Sequence, residues 1–196
     1  MTVPDRVTAP VPVLLVTGPV GVGKTAVTGE AAQLLSEAGI PHAMADLAVI
    51  GQCWPPPADD QWNEELIHAN LACMWENFRR AGASRLLLCR VLETRSLLRR
   101  VVEAVPGADI TVVRLRAPRE LVQARIMARE AGRDPQWYLD TAAYLFDRLE
   151  HAGVEDHVVD NDDRPVAQVA ADVLHAAGWL GARPPDRGWQ QRGRGY

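Results

Sequence analysis

The segment Gly18-Pro19-Val20-Gly21-Val22-Gly23-Lys24-Thr25, directly behind the apolar run Val13-Leu14-Leu15-Val16, limits the possible folds more than any other part of the chain. Its glycines let the backbone curl until several N–H groups point inward at one anion, and a helix opening at the end of the curl adds the positive end of its dipole. The run at 13–16 suits a strand buried on both faces. From 24 to 38, Ala26, Val27, Ala31, Leu34 and Leu35 follow helical spacing until Gly39-Ile40-Pro41 stops them. Strand, glycine loop, lysine and hydroxyl residue at a helix start form a site for nucleotide phosphates, held by Gly18, Gly21, Val22, Gly23, Lys24 and Thr25. Lys24 is placed to reach the β- and γ-phosphates of ATP, and the Thr25 hydroxyl to bind the Mg²⁺ that bridges them. A turn that only joined a strand to a helix would require neither residue.

The pattern then repeats as strand and helix in alternation. Strands are expected at 42–48, 85–92, 109–115 and 156–159, and helices at 63–81, 95–105, 118–131, 136–151 and 164–177. The helix from 118 is interrupted at Gly132-Arg133-Asp134-Pro135. Such alternation predicts an α/β fold: a three-layer α/β/α sandwich around a five-stranded parallel sheet with right-handed crossovers. Residues 1–10 read as a flexible leader, 11–180 as one domain and 181–196 as a disordered tail.

Composition removes several function classes. A formal net charge of −4 supplies no general basic field, which argues against a nucleic-acid partner. No apolar stretch approaches the roughly 20 residues needed to span a bilayer, and no secretory pattern opens the chain, so a cytoplasmic protein is expected. Cys53, Cys73 and Cys89 fit neither a disulfide framework nor a zinc site, and the five histidines show no metal spacing. Lys24 is the only lysine, which excludes the Asn-Lys-x-Asp string by which guanine-specific switches read their base. The strand at 85–92 ends with Glu93 as its single nearby acid, unlike the acidic strand ends of motor ATPases.

Taken together, residues 11–178 resemble the small P-loop kinases, among them gluconate, shikimate and adenylylsulfate kinases and chloramphenicol phosphotransferase. Within them the chain is similar to an adenylylsulfate-kinase-like group of ATP-binding proteins. The shared features are the P-loop, Asp46 after the second strand, Trp54-Pro55-Pro56-Pro57 and Ala177-Gly178-Trp179. The resemblance implies ATP, Mg²⁺ and phosphoryl transfer, with a short helical lid near 125–137. It also implies that Asp46 faces the acceptor hydroxyl, that Arg125 stacks on adenine and that Arg129 touches the transferring phosphate. The other reading of Asp46 is a helix cap. Where the group carries Asp-x-Asp, this chain has Asp46-Leu47-Ala48, so the second carboxylate is missing.

Six arginines against two glutamates between 114 and 133 suggest a cationic patch, in which Arg133 adds a lid contact. Asn161, after the last strand, is a candidate adenine neighbour or a plain turn residue. Trp54, Trp62 and Trp75 could shape an acceptor pocket, Trp75 being better suited to the core, with Glu93 as a further contact. The expectation is a small-molecule kinase, monomeric or homodimeric, with Lys24, Asp46, Arg125 and Arg129 as its catalytic set. The alternative is an ATP-binding regulatory protein with little chemistry of its own.

Overall fold

The computed structural model describes residues 10–181, so all but the last residue of the expected leader at 1–10 and all but the first of the expected tail at 181–196 lie outside the described residues. Strands β1 (Val11–Thr17), β2 (Ala43–Asp46), β3 (Leu86–Cys89), β4 (Ala108–Arg116) and β5 (His157–Asp160) form one parallel sheet in the order β2-β3-β1-β4-β5. Between them run helices α1 (Lys24–Glu37), α2 (Leu47–Ile50), α3 (Glu64–Arg80), α4 (Arg95–Ala104), α5 (Arg119–Arg129), α6 (Gln136–Ala152) and α7 (Val166–Ala176). The expected α/β sandwich with five parallel strands is therefore present.

Side-chain alternation along β1 divides the interior. Leu14 and Val16 face a cluster with Val27, Ala31 and Leu35 of α1 and Val169 and Val173 of α7. Val13 and Leu15 face the opposite cluster, with Leu71 and Trp75 of α3 and Val101 of α4. A strand covered on both sides has no polar face, which accounts for the uninterrupted apolar run. Neighbouring strands β1 and β3 thus send their following helices, α1 and α4, to opposite faces of the sheet. The crevice at their carboxyl ends is where open α/β sheets take ligands.

One expected element is corrected. The second strand does not run to residue 48 but stops at Asp46, and Leu47–Ile50 is a short helix. The backbone N–H of Ala48 donates to Asp46 Oδ1 at 3.0 Å, and this cap ends the extended run. No helix among the described residues is long and apolar enough to cross a membrane.

Candidate active site

The turn from Gly18 to Gly23 carries the chain from β1 to the first residue of α1, Lys24. Gly21 and Gly23 have φ of 82° and 101°, in the left-handed region. A Cβ on Gly23 would lie 2.6 Å from Asn161 Nδ2, and one on Gly21 would lie 2.7 Å from Ile126 Cγ1, so both strain and space exclude a side chain. Lys24 Nζ donates to the carbonyl oxygens of Gly18 and Pro19, each at 3.0 Å, which folds the ammonium back over the loop. Burial pushes the Lys24 pKa down to about 8, opposed by the nearby Asp46 carboxylate and reinforced by the Arg129 guanidinium.

Sheet register sets Asp46 beside Cys89, and Cys89 beside Val16, so the ends of β2, β3 and β1 lie in a row. Across that row Thr25 Oγ1 donates to Asp46 Oδ2 at 2.9 Å, while Asp46 Oδ1 accepts the α2 cap. The two readings of Asp46 thus describe one residue with two oxygens: one caps a helix, the other faces the phosphate loop. Burial, together with the Asp46 carboxylate, pushes the Cys89 thiol up to about 12, so it stays protonated beneath the site. Among the described residues no group of three or more His, Cys, Asp or Glu side chains could hold a metal by itself.

Arg125 and Asn161 converge on the loop from the far side. Arg125 Nη1 donates to the Asn161 carbonyl at 3.1 Å and to the Val22 carbonyl at 3.4 Å, and its Nη2 donates to the Asp162 carbonyl at 3.0 Å. Asn161, buried, donates from Nδ2 to the Val22 carbonyl at 2.6 Å. Both side chains brace the phosphate loop against the loop after β5, a part that the sequence pattern does not reveal. Arg129 lies 4.7 Å from the centre of the Tyr138 ring and pairs with Glu130 at 2.7 Å.

The expected cationic patch is corrected. Arg114 is buried between Glu150 and Glu155, Arg116 pairs with Asp160 and Arg119 with Asp147, so acids from distant segments neutralise these charges. Arg133 sits exposed in the turn between α5 and α6, outside the cavity described next.

A cavity of about 1300 Å³ opens beside the phosphate loop, touching it at Val20 and touching α2 at Ala48. Trp54 and Trp62 line it, as do Trp137 and Tyr144 of α6. Glu93 lies in it, accepting from Tyr144 Oη at 3.2 Å and pairing with Arg148 at 3.5 Å. Trp75 is in the core, the reading preferred for it over an acceptor contact. The Asp46 side chain is not part of the lining and meets the phosphate loop through Thr25.

Sequence reasoning missed Glu64 and Arg90, which form a half-buried ion pair in the cavity wall. His68 Nδ1 lies 2.6 Å from the Glu64 carbonyl oxygen behind it. The pair joins the start of α3 to the residue after β3, 26 positions apart, and no local pattern signals it. The one available clue was an arginine immediately beyond a four-residue apolar strand, at the sheet edge where ligands bind.

No family model and no curated protein matches the chain. Solved structures do. The tunicamycin resistance protein of Deinococcus radiodurans superposes with a TM-score of 0.64 at 22% identity, covering 89% of this chain and 99% of its own. A gluconokinase from Sinorhizobium meliloti 1021 gives 0.57 at 19% identity, covering 87% and 94%. The APS kinase of Mycobacterium tuberculosis, in complex with AMPPNP and APS, gives 0.54 at 18% identity, covering 87% and 99%. At such identities the likeness concerns the fold alone, a parallel α/β fold shared with these proteins.

Proposed function

We propose that this protein is an ATP- and Mg²⁺-dependent phosphotransferase of the cytoplasm that moves the γ-phosphoryl group of ATP to a hydroxyl of a small acceptor. The observation that carries the reading is the continuity of the two halves of the site. The glycine loop with Lys24 and Thr25 adjoins, at Val20 and Ala48, a cavity large enough for an acceptor. The gluconokinase and the APS kinase among the fold neighbours agree with it.

In this reading the loop N–H groups and Lys24 hold the triphosphate. The Gly21 and Gly23 backbone fits that role, since left-handed φ values of 82° and 101° let the loop curl as a nest of N–H groups requires. Thr25 would hold the metal by its hydroxyl, with Asp46 beside it; when bound, Mg²⁺ neutralises charge on the phosphate oxygens. Asp46 Oδ2, now accepting from Thr25, orients the acceptor hydroxyl or takes its proton. The acceptor oxygen forms a bond to Pγ, the bond from Pγ to the bridging oxygen breaks, and ADP leaves with that electron pair. Arg129, close enough to act on Lys24, offsets charge on the transferring group, and the face of Arg125 stacks on the base.

The test is ADP release by the full chain with MgATP against a pooled library of alcohols and nucleosides. Acceptor-stimulated release should fall at least about a hundredfold in Lys24→Ala and in Asp46→Ala. Nucleotide binding without any acceptor-stimulated release would replace the phosphotransferase with the regulatory ATP-binding protein.

A further inference from the structure

The cavity's lining carries information about its occupant. Every exposed aromatic side chain among the described residues faces this one cavity: Trp54 at 89% exposure, Trp62 at 70%, and Trp137 and Tyr144 at 57% each. Aromatic surface left in water at one place marks a recognition site, because flat rings gain most from covering by another ring or an apolar face. The rings come from separate parts of the chain, Trp54 and Trp62 from residues 51–63 and Trp137 and Tyr144 from the first half of α6, so a ligand in the cavity meets rings from both.

The charge of the lining is as selective as its surface. The carboxylate and guanidinium side chains of the lining are Glu64, Glu93, Asp140 and Arg90, three acids against one base. The charge of that base is compensated, because Arg90 pairs through Nη2 with Glu64, while its buried Nη1 has no hydrogen-bond partner. Arg148 reaches Glu93 from outside the lining, and Asp140 accepts only a neutral amide, Gln136 Nε2, at 2.8 Å among the bonds described. An anionic acceptor would enter a net acidic, aromatic space with no unpaired cation to receive it, and low-dielectric walls would strengthen the repulsion. A neutral polyol without a ring would leave the tryptophans wet.

We infer that the acceptor is an uncharged alcohol that carries an aromatic ring or base, of the size of an aryl glycoside or a nucleoside, and that sugar acids and phosphorylated sugars are excluded. The inference rests on the phosphotransfer reading of the same site and changes the acceptor, not the step.

Calorimetric titration of the full chain, with the nucleotide site filled by MgAMPPNP, tests it with matched probes. These are phenyl β-D-glucoside, phenyl β-D-glucuronide, methyl β-D-glucoside, uridine and UMP. The phenyl glucoside should bind about tenfold or more tighter than both the glucuronide and the methyl glucoside, and uridine tighter than UMP by a similar factor. Glu93→Gln with Asp140→Asn should recover binding of the two anions by about threefold per removed charge, a gain that damage to the fold could not mimic. Anions binding as well as their neutral partners, a methyl glucoside equal to the phenyl glucoside, or no binding by any of the five would overturn the inference. ADP release with MgATP and the same probes separates it from the reading beneath it. Ring-selective binding without release removes the phosphotransferase and keeps the cavity's preference, whereas release driven by glucuronide or UMP removes the preference and keeps the phosphotransferase.

Discussion

Lys24 is protonated in the unfolded chain up to its ordinary 10.5 but in the fold only up to about 8, because burial strips water from its ammonium. Below about pH 8 both states hold the proton and the burial penalty is present in full. Between about 8 and 10.5 the unfolded chain binds a proton that the folded chain does not, so stability from this group rises with pH across that window. Nucleotide binding runs the other way. Phosphates beside Lys24 favour its charged form, so binding above about pH 8 must take up a proton, and affinity should weaken towards about tenfold per pH unit. Titrations with MgAMPPNP from pH 7 to 9.5, in two buffers of different ionisation enthalpy, would show the uptake growing as affinity falls. Lys24→Gln should flatten both dependences; an unchanged proton uptake in that variant would assign the titration to another group.

Among the elements, the loop after β5 is the one whose role depends most on partners far away in the chain. Arg125 from α5 spans the carbonyls of Val22, Asn161 and Asp162, and Asn161 adds its own bond to Val22, so α5, β5 and the phosphate loop are tied as a unit. Arg125→Lys cannot restore this, because a single ammonium does not reproduce a planar fork reaching three oxygens. Both Arg125→Lys and Arg125→Ala should cost about 1–3 kcal/mol and reduce the thermal shift produced by MgAMPPNP, as followed by melting with and without nucleotide. A lysine variant that matched the native chain in both would mean that charge alone, not the fork, is what the loop needs. These ties cross 36 and 103 positions, which is why periodicity and spacing were silent about them. The elements themselves were legible because their signals are local: the glycine turn after an apolar run, the helical spacing through 24–38, and Gly132 to Pro135 between two helices. The short helix α2 was not, because four apolar residues carry no period and only the Asp46 cap separates helix from strand there. The cationic patch failed for the same reason as the braces were missed, since the acids that neutralise Arg114, Arg116 and Arg119 come from beyond residue 146.

At the scale of the molecule, one sheet separates two apolar clusters, and the site lies at the edge where helices depart to opposite faces. The α3 and α4 side both completes the second cluster and supplies part of the cavity lining. Leu71 and Trp75 point inward from α3, while Glu64 and Ile67 at its start line the cavity. Stability and recognition therefore share one helix, and Ile67, buried in the second cluster while lining the cavity, takes part in both. Two tryptophans on this side of the sheet separate the roles. Trp75, buried in the second cluster, should cost about 3–5 kcal/mol when replaced by Ala, through lost transfer energy and the cavity left behind. Trp54, exposed at the cavity wall, should cost no more than about 0.5 kcal/mol in the same substitution, because it contributes little to the folded interior. Urea unfolding of Trp54→Ala and Trp75→Ala beside the native chain measures the difference directly. Equal destabilisation would mean that Trp54 folds into the core in solution, which would remove one wall of the cavity and with it the argument for a ring-bearing acceptor.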